Sequence, residues 1–494
     1  MRRRQFLQLS SAAAPLLTFP SLFAPRSLAA ELPTQITDFS GLQLSAAIRS
    51  GQVSSVEVMR AYLSHIQRYN PVYNAIVGMA DEDSLLSQAE QADRELARGD
   101  YRGWMHGMPH AVKDLSAASG LPHTSGSPLF ADRIATEDSA FVARLRSAGA
   151  IFIGKTNSPE FGLGSQTYNP VFGPTGSAYD PELTSGGSSG GAASGLGTHM
   201  LPVADGSDMM GSLRNPGAFN NVIGFRPSAG FMSETEPQVR PLSTSGPMGR
   251  NTADTIQLLN TMAPRPFSDP FNALDFNGLR VGWFGDLDSY LALETGIMPL
   301  CEGNLLAIES AGAAVEPVMP RFDLDDLWLC WTTLRHSGRA RMRPYYDDPE
   351  TRSLLKPELI WEIEQSMVLG ETDVRRANET RQDWYQEMDR LFNDYDFLVL
   401  PSAQVFPYST QTTWPRHIGD RFMDTYHRWM EVVIPASVAG LPVVNVPVGF
   451  NNAGRPMGMQ IIGRYGDDRG VLEFALAYEQ ITRHLARRPL LQEA

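Results

Sequence analysis

At 494 residues, with 42% hydrophobic and 19% charged content, the chain can bury a large core and has the length of one large domain or two to three smaller ones. Its formal net charge of -14, with no Lys/Arg-rich block and no aromatic-basic stripe, argues against a nucleic-acid surface and against anionic polymers as partners. No apolar run reaches the roughly 18 to 20 residues that a membrane-spanning helix needs.

The chain opens MRRRQFLQLSSAAAPLLTFPSLFAPRSLAAE. Arg2, Arg3 and Arg4 lead into a weakly apolar Ala/Leu/Phe stretch that ends in small residues before Glu31, the layout of an export signal rather than of folded structure. The form RRRQFLQ resembles the twin-arginine signals of bacterial precursors exported already folded, so residues 1-30 are expected to be removed and the mature protein to be periplasmic or secreted. Cleavage near Ala29 or Ala30 would remove four arginines and no acid, leaving a still more acidic chain.

Beyond the signal, SSVEVMRAYLSHIQRYNP predicts a helix whose Ser54 and Glu57 form a capping box and whose Val58, Tyr62 and Ile66 recur at helical spacing. A second helix is expected over Asp81 to Arg98. HGMPHAVKDLSAASG reads as a strand that carries Lys113 and Asp114 into a loop. DSAFVARLRSAGAIFIGKTN predicts a helix capped by Asp138 and stopped near Gly149, then a buried strand at Ile151 to Gly154.

From Pro159 to Pro227 the chain is rich in Gly, Ser, Asn and Pro, yet HMLPVADGSD and NNVIGFRP interrupt it as strand-like segments that a flexible linker would lack. Residues from about 269 to 395 are more charged, aromatic and helical. FLVLPS, LPVVNVPVGF and MGMQIIG then restore buried-strand character, and DRGVLEFALAYEQITRHL closes the pattern as a helix. Strands and helices alternate without an internal repeat, which points to an α/β fold.

Two cysteines, Cys301 and Cys330, leave a single disulfide or two buried thiols equally open, and rule out a disulfide framework. No His/Cys/Asp/Glu group shows metal-ligand spacing, so neither a metal nor a cofactor is expected. Of the 41 basic residues only Lys113, Lys155 and Lys356 are lysines. A lysine kept in a loop against that arginine background implies a role arginine cannot fill, such as a base that must lose its proton.

The densest signal is TSGGSSGGAASG, Thr184 to Gly195. It is not a phosphate loop, because no lysine follows it before Lys356. Gly186-x-Ser188-x-Gly190 matches a nucleophile elbow, which would make Ser188 an esterase nucleophile with His336, His417, His427 or His484 as partner. Ser353 to Lys356 is formally S-x-x-K, but its companion motifs are absent and it reads as a charged helix face.

A second knot, GSDMMGSLRNPGAFNNVIGFRPSAG, follows at Gly206 to Gly230. TSGGSSGGAASG, then GSDMMGSLRNP, with GMPHAVKDL upstream, resembles the core of the amidase signature family. DSAFVARLRSAGAIFIGKTNSPEFG, NPVFGPTGSAYDP and PASVAGLPVVNVPVGFNNAGRPMGMQIIG extend the likeness over roughly residues 38 to 485.

The resemblance implies a single large α/β domain over 31-494 with a central mixed β-sheet flanked by helices, a relay region at about 105-230 and a helical substrate entrance at about 269-395. It implies that Ser212 accepts the acyl group, that Ser188 is the bridging serine held across a cis peptide bond, with Gly187 as a supporting residue, and that Lys113 is the terminal base. Backbone N–H groups of Met209, Met210 and Gly211 are expected to form the oxyanion hole, with Asp208, Arg214 and Ser189 supporting.

In physical terms a serine hydroxyl needs a proton acceptor to become a good nucleophile, and a neutral amine can take the place of histidine. The implied activity is cleavage of a small-molecule carboxamide to an acid and ammonia or an amine. A non-catalytic exported binding protein is the alternative from another class, and membership of a transamidation complex that works on charged tRNA is disfavoured by the signal and the acidity.

Where the family usually has GSDTGGS, this chain has Met209 and Met210. Two flexible apolar side chains at that place are expected to shape an apolar acyl pocket.

Overall fold

The computed structural model of the protein describes residues 33–493; the expected export signal lies outside the described residues. Ser54 caps the first long helix, Ser55–Tyr73, its Oγ accepting from Glu57 N while Glu57 Oε2 accepts from Ser54 N. Val58, Tyr62 and Ile66 face inward as their spacing requires. The next helix runs Glu82–Ala97 with Asp81 as its cap. Asp138, by contrast, does not cap the helix Ala140–Ser147. Its carboxylate accepts from Ser119 N and pairs with Arg146, an ion pair that outcompetes the helix N-terminus for the same oxygens.

Eight strands form the central sheet. In spatial order they are Ala314–Pro317, Arg280–Trp283, Phe397–Pro401, Pro456–Ile462, Val443–Phe450, Ile223–Arg226, Thr244–Gly249 and Val203–Asp208. The first three pair in parallel and the rest antiparallel, so the sheet is mixed, as expected. The apolar runs at Val443–Phe450 and Pro456–Ile462 are buried almost throughout because both faces of the sheet are covered.

A second sheet of three strands, Ile76–Val77, Ile151–Thr156 and Pro109–Lys113, packs beside the Val203–Asp208 edge. The Ile151 strand continues two residues past the expected Gly154, through Lys155 to Thr156.

The largest core joins the big sheet to the helices that cover it, and in it Trp331, Trp384 and Trp429 are almost wholly buried. Helices Leu324–Ser337, Pro357–Val368 and Glu371–Asp394 contribute to it. The S-x-x-K lysine is not on a solvated helix face: Lys356 is buried, its Nζ donating to Leu163 O at 3.1 Å and lying 4.1 Å from the Tyr168 ring centroid. Among the described residues no helix is long and apolar enough to cross a membrane.

Candidate active site

Lys113 ends a strand, Pro109–Lys113, whose five residues are all buried, and is itself only 1% exposed. Its Nζ lies 2.8 Å from Ser188 Oγ, 2.8 Å from Ser189 Oγ and 3.0 Å from Ser207 Oγ. No carboxylate is in ion-pair contact with it among the described residues. Burial therefore pushes its pKa down to about 7, although Asp205 and Asp208 pull the other way. Three hydroxyls around one amine suit the neutral form, which donates two hydrogens and accepts one.

The glycine-serine loop is rigid and inside: every residue from Thr184 to Gly197 is buried. The Gly187–Ser188 peptide is cis, and Gly187 O accepts from Ser165 Oγ. Glycine is required at 190 because a Cβ there would fall 2.2 Å from Thr167 Oγ1. Ser189 precedes the helix Gly190–Gly197 and donates its N–H to Ser212 O at 3.3 Å, tying the two loops together.

Ser212 sits in the turn between the strand Val203–Asp208 and the helix Arg214–Phe219, only 7% exposed. Its Oγ is not in hydrogen-bond contact with Ser188 Oγ, a separation that active sites commonly close when substrate binds. Asp208 organises the turn by accepting from Gly211 N, Leu213 N, the Arg214 guanidinium and Arg226. Burial opposes its charge, but the two arginines hold the carboxyl well below the usual carboxylate range.

Arg214 is wholly buried and also donates to Val433 O, Gln460 Oε1 and Ser437 Oγ, so it locks the turn to the strand Pro456–Ile462 and to the helical segment that runs into Ile434–Ala439. The Gly211 N–H is committed to Asp208 at 2.9 Å, which removes it from the expected oxyanion donors. The N–H groups of Met209 and Met210 have no acceptor among the described residues.

The two methionines part company. Met210 is packed into the core, whereas Met209 is partly exposed and its Sδ accepts from Arg335 Nη1 at 3.2 Å. Of the two methionines expected to shape an acyl pocket, only Met209 is partly exposed, and it lies against the Arg335 guanidinium.

Several supporting residues escape sequence reasoning. Ser207 is the third hydroxyl on Lys113, and Arg226 the second guanidinium on Asp208. Asp205 accepts from His110 Nε2 at 3.0 Å and from Lys113 N at 3.2 Å. Lys155, 3.9 Å from Asp114, is pushed down to about 8 by burial. For Lys155 the signal is visible in the sequence, since lysine is so rare here; nothing comparable marks Ser207, Asp205 or Arg226.

No histidine reaches Ser188 among the described residues, which removes the elbow reading. His417 is exposed and His484 pairs with Asn304. His336 and His427 instead meet Glu362, all three donor groups lying within 4.8 Å of one another although far apart in the chain, a grouping that spacing could not reveal. Both Glu362 oxygens are taken, by Arg335 and Tyr426 on one side and Arg339 on the other, and two guanidiniums there oppose a cation. Cys301 and Cys330 are free thiols, buried apart.

These features define an α/β enzyme with a serine-lined, lysine-centred site, and the chain belongs to the Amidase family, which it matches over residues 57–472. It is 31% identical over 465 residues to an acylamidase of Rhodococcus erythropolis, covering 91% of this chain and 97% of that one. It is equally 31% identical to a Glutamyl-tRNA(Gln) amidotransferase subunit of Symbiobacterium thermophilum, over 92% and 99% of the two chains. The crystal structure of a bacterial aryl acylamidase of the amidase signature family superposes with a TM-score of 0.82 at 25% identity, covering 92% and 99%. The protein is an amide-hydrolysing enzyme.

Proposed function

We propose that Ser212 attacks the carbonyl of a small amide, that Ser188 passes its proton to Lys113, and that an acyl-Ser212 ester is the intermediate. The observation that carries this reading is Lys113, a buried amine held near neutrality with Ser188 Oγ 2.8 Å from its Nζ. As the Ser212 Oγ–C bond forms, the Met209 and Met210 N–H groups are the donors this reading assigns to the developing oxyanion. Collapse then breaks the C–N bond, the lysine returning its proton through Ser188 to the departing nitrogen. Water completes the cycle by the same route, releasing the acid.

Hydrolysis needs no metal or cofactor in this scheme. The acidity of the chain favours a small substrate over a nucleic acid, and RRRQFLQ favours export in the folded state to the periplasm or beyond.

The test is peptide mapping after treatment with a fluorophosphonate. A single adduct on Ser212 is expected, and Ser212→Ala should lower kcat/KM for any hydrolysed amide by about a thousandfold or more. An adduct on Ser188 with Ser212 untouched would reassign the nucleophile.

A further inference from the structure

We propose that Arg335 anchors the acyl end of the substrate and that the enzyme prefers amides whose acyl chain ends in a carboxylate over neutral amides of equal length. The inference rests on Ser212 being the nucleophile.

Arg335, on the helix Leu324–Ser337, is 6% exposed. Its Nε donates to Glu362 and its Nη2 to Tyr426 OH at 2.7 Å, while the guanidinium carbon lies 5.2 Å from the Trp331 ring centroid. Nη1 is left with the Met209 thioether at 3.2 Å. A thioether is a weak acceptor, and a buried charged donor that has only a weak acceptor forgoes much of what it lost on leaving water. An oxygen acceptor from the substrate would replace it with gain.

Met209 is suited to yielding. It is partly exposed, unbranched and flexible, and it lies three residues before Ser212. Three residues span at most roughly 10 Å between Cα atoms, so the Met209 backbone is held close to Ser212 while its side chain reaches Arg335.

Charge decides which oxygen. Glu362 serves two arginines, Arg335 and Arg339. Burial pushes the Tyr426 phenol up and keeps it neutral; it pushes His336 down to about 4 and His427 well below its ordinary value, so both imidazoles are neutral. Alongside, Lys356 has Glu358 at 4.0 Å, and burial pushes the Lys356 amine down and the Glu160 carboxyl up. Arg335 and Arg339 share the one Glu362 carboxylate, so these two guanidiniums carry one positive charge more than it balances. An anionic acyl terminus balances the excess.

The experiment compares kcat/KM of the intact enzyme for succinamate against butyramide and for glutaramate against valeramide. At least one carboxylated member is expected to be preferred about tenfold or more, the worth of one charge-assisted hydrogen bond. Arg335→Gln should bring that ratio close to one, whereas Met209→Leu, which removes the thioether but keeps its bulk, should preserve it. If Arg335→Gln does not fold, the wild type still decides, because succinate should inhibit neutral-amide hydrolysis at least about tenfold more tightly than butyrate.

Turnover of neutral amides with no preference in either pair overturns the Arg335 assignment and leaves the nucleophile intact. No turnover at all, together with no adduct on Ser212, overturns the nucleophile and this inference with it.

Discussion

Lys113 matters because it can lose a proton at the pH where the enzyme works. Burial lowers its pKa in the folded protein to about 7, well below the ordinary lysine value, so the neutral base is present above that pH and is lost as pH falls through it. We expect kcat/KM to rise with pH on an acid limb centred near 7, read from a profile between about pH 5 and 9. Activity that stays flat down to the acid end of that range would remove Lys113 as the base. Lys113→Arg should be inactive across the whole range, since a guanidinium does not deprotonate. Lysine rarity makes this residue legible in the sequence. What the sequence does not show is why the amine stays uncharged, because the serines that surround it come from separate stretches and its distance from Asp205 and Asp208 is a matter of packing.

At the level of elements, the site is two turns that each lead into a short buried helix, Gly190–Gly197 and Arg214–Phe219, joined by the Ser189 N to Ser212 O bond. Gly211 makes the second turn possible. Its φ is +79°, and a Cβ there would fall 2.3 Å from Asn215 Oδ1, while Asn215 Nδ2 is held by Ser402 O. Gly211→Ala is expected to cost more than about 1 kcal/mol and to lower activity, both from strain and from displacing the Met209 and Met210 donors. Thermal melting and a steady-state assay check this; an unchanged Tm with unchanged kcat would mean the turn does not need that geometry. Helices with strong local signals, such as Glu82–Ala97, are legible to within a residue. The role of Asp138 is not, because a cap is a local preference and Arg146 offers the same carboxylate a stronger partner.

Across the whole molecule, the mixed eight-stranded sheet places the strand Val203–Asp208 at an edge, against which the three-stranded sheet delivers Lys113. The large core behind it holds Cys301 and Cys330 as separate buried thiols, with burial pushing Cys330 up to about 12. Stability is therefore expected to be indifferent to reductant: the Tm with and without dithiothreitol should agree, and a fall of several degrees on reduction would reveal a disulfide. Neutral buried thiols are also expected to resist alkylation until the protein unfolds.

The family and an α/β architecture can be read from the order of amino acids, because the glycine-serine motifs and the alternation of strands and helices leave local marks, whereas the mixed sheet and the roles proposed for Ser212, Ser188 and Lys113 follow from the family resemblance. Which donors remain for an oxyanion is a different matter, since only packing commits the Gly211 N–H to Asp208. Packing likewise sets Arg226 beside Asp208, and Arg335 behind Met209. Those pairings join residues distant in the chain, and a buried charge takes its partner from whatever the fold brings within reach.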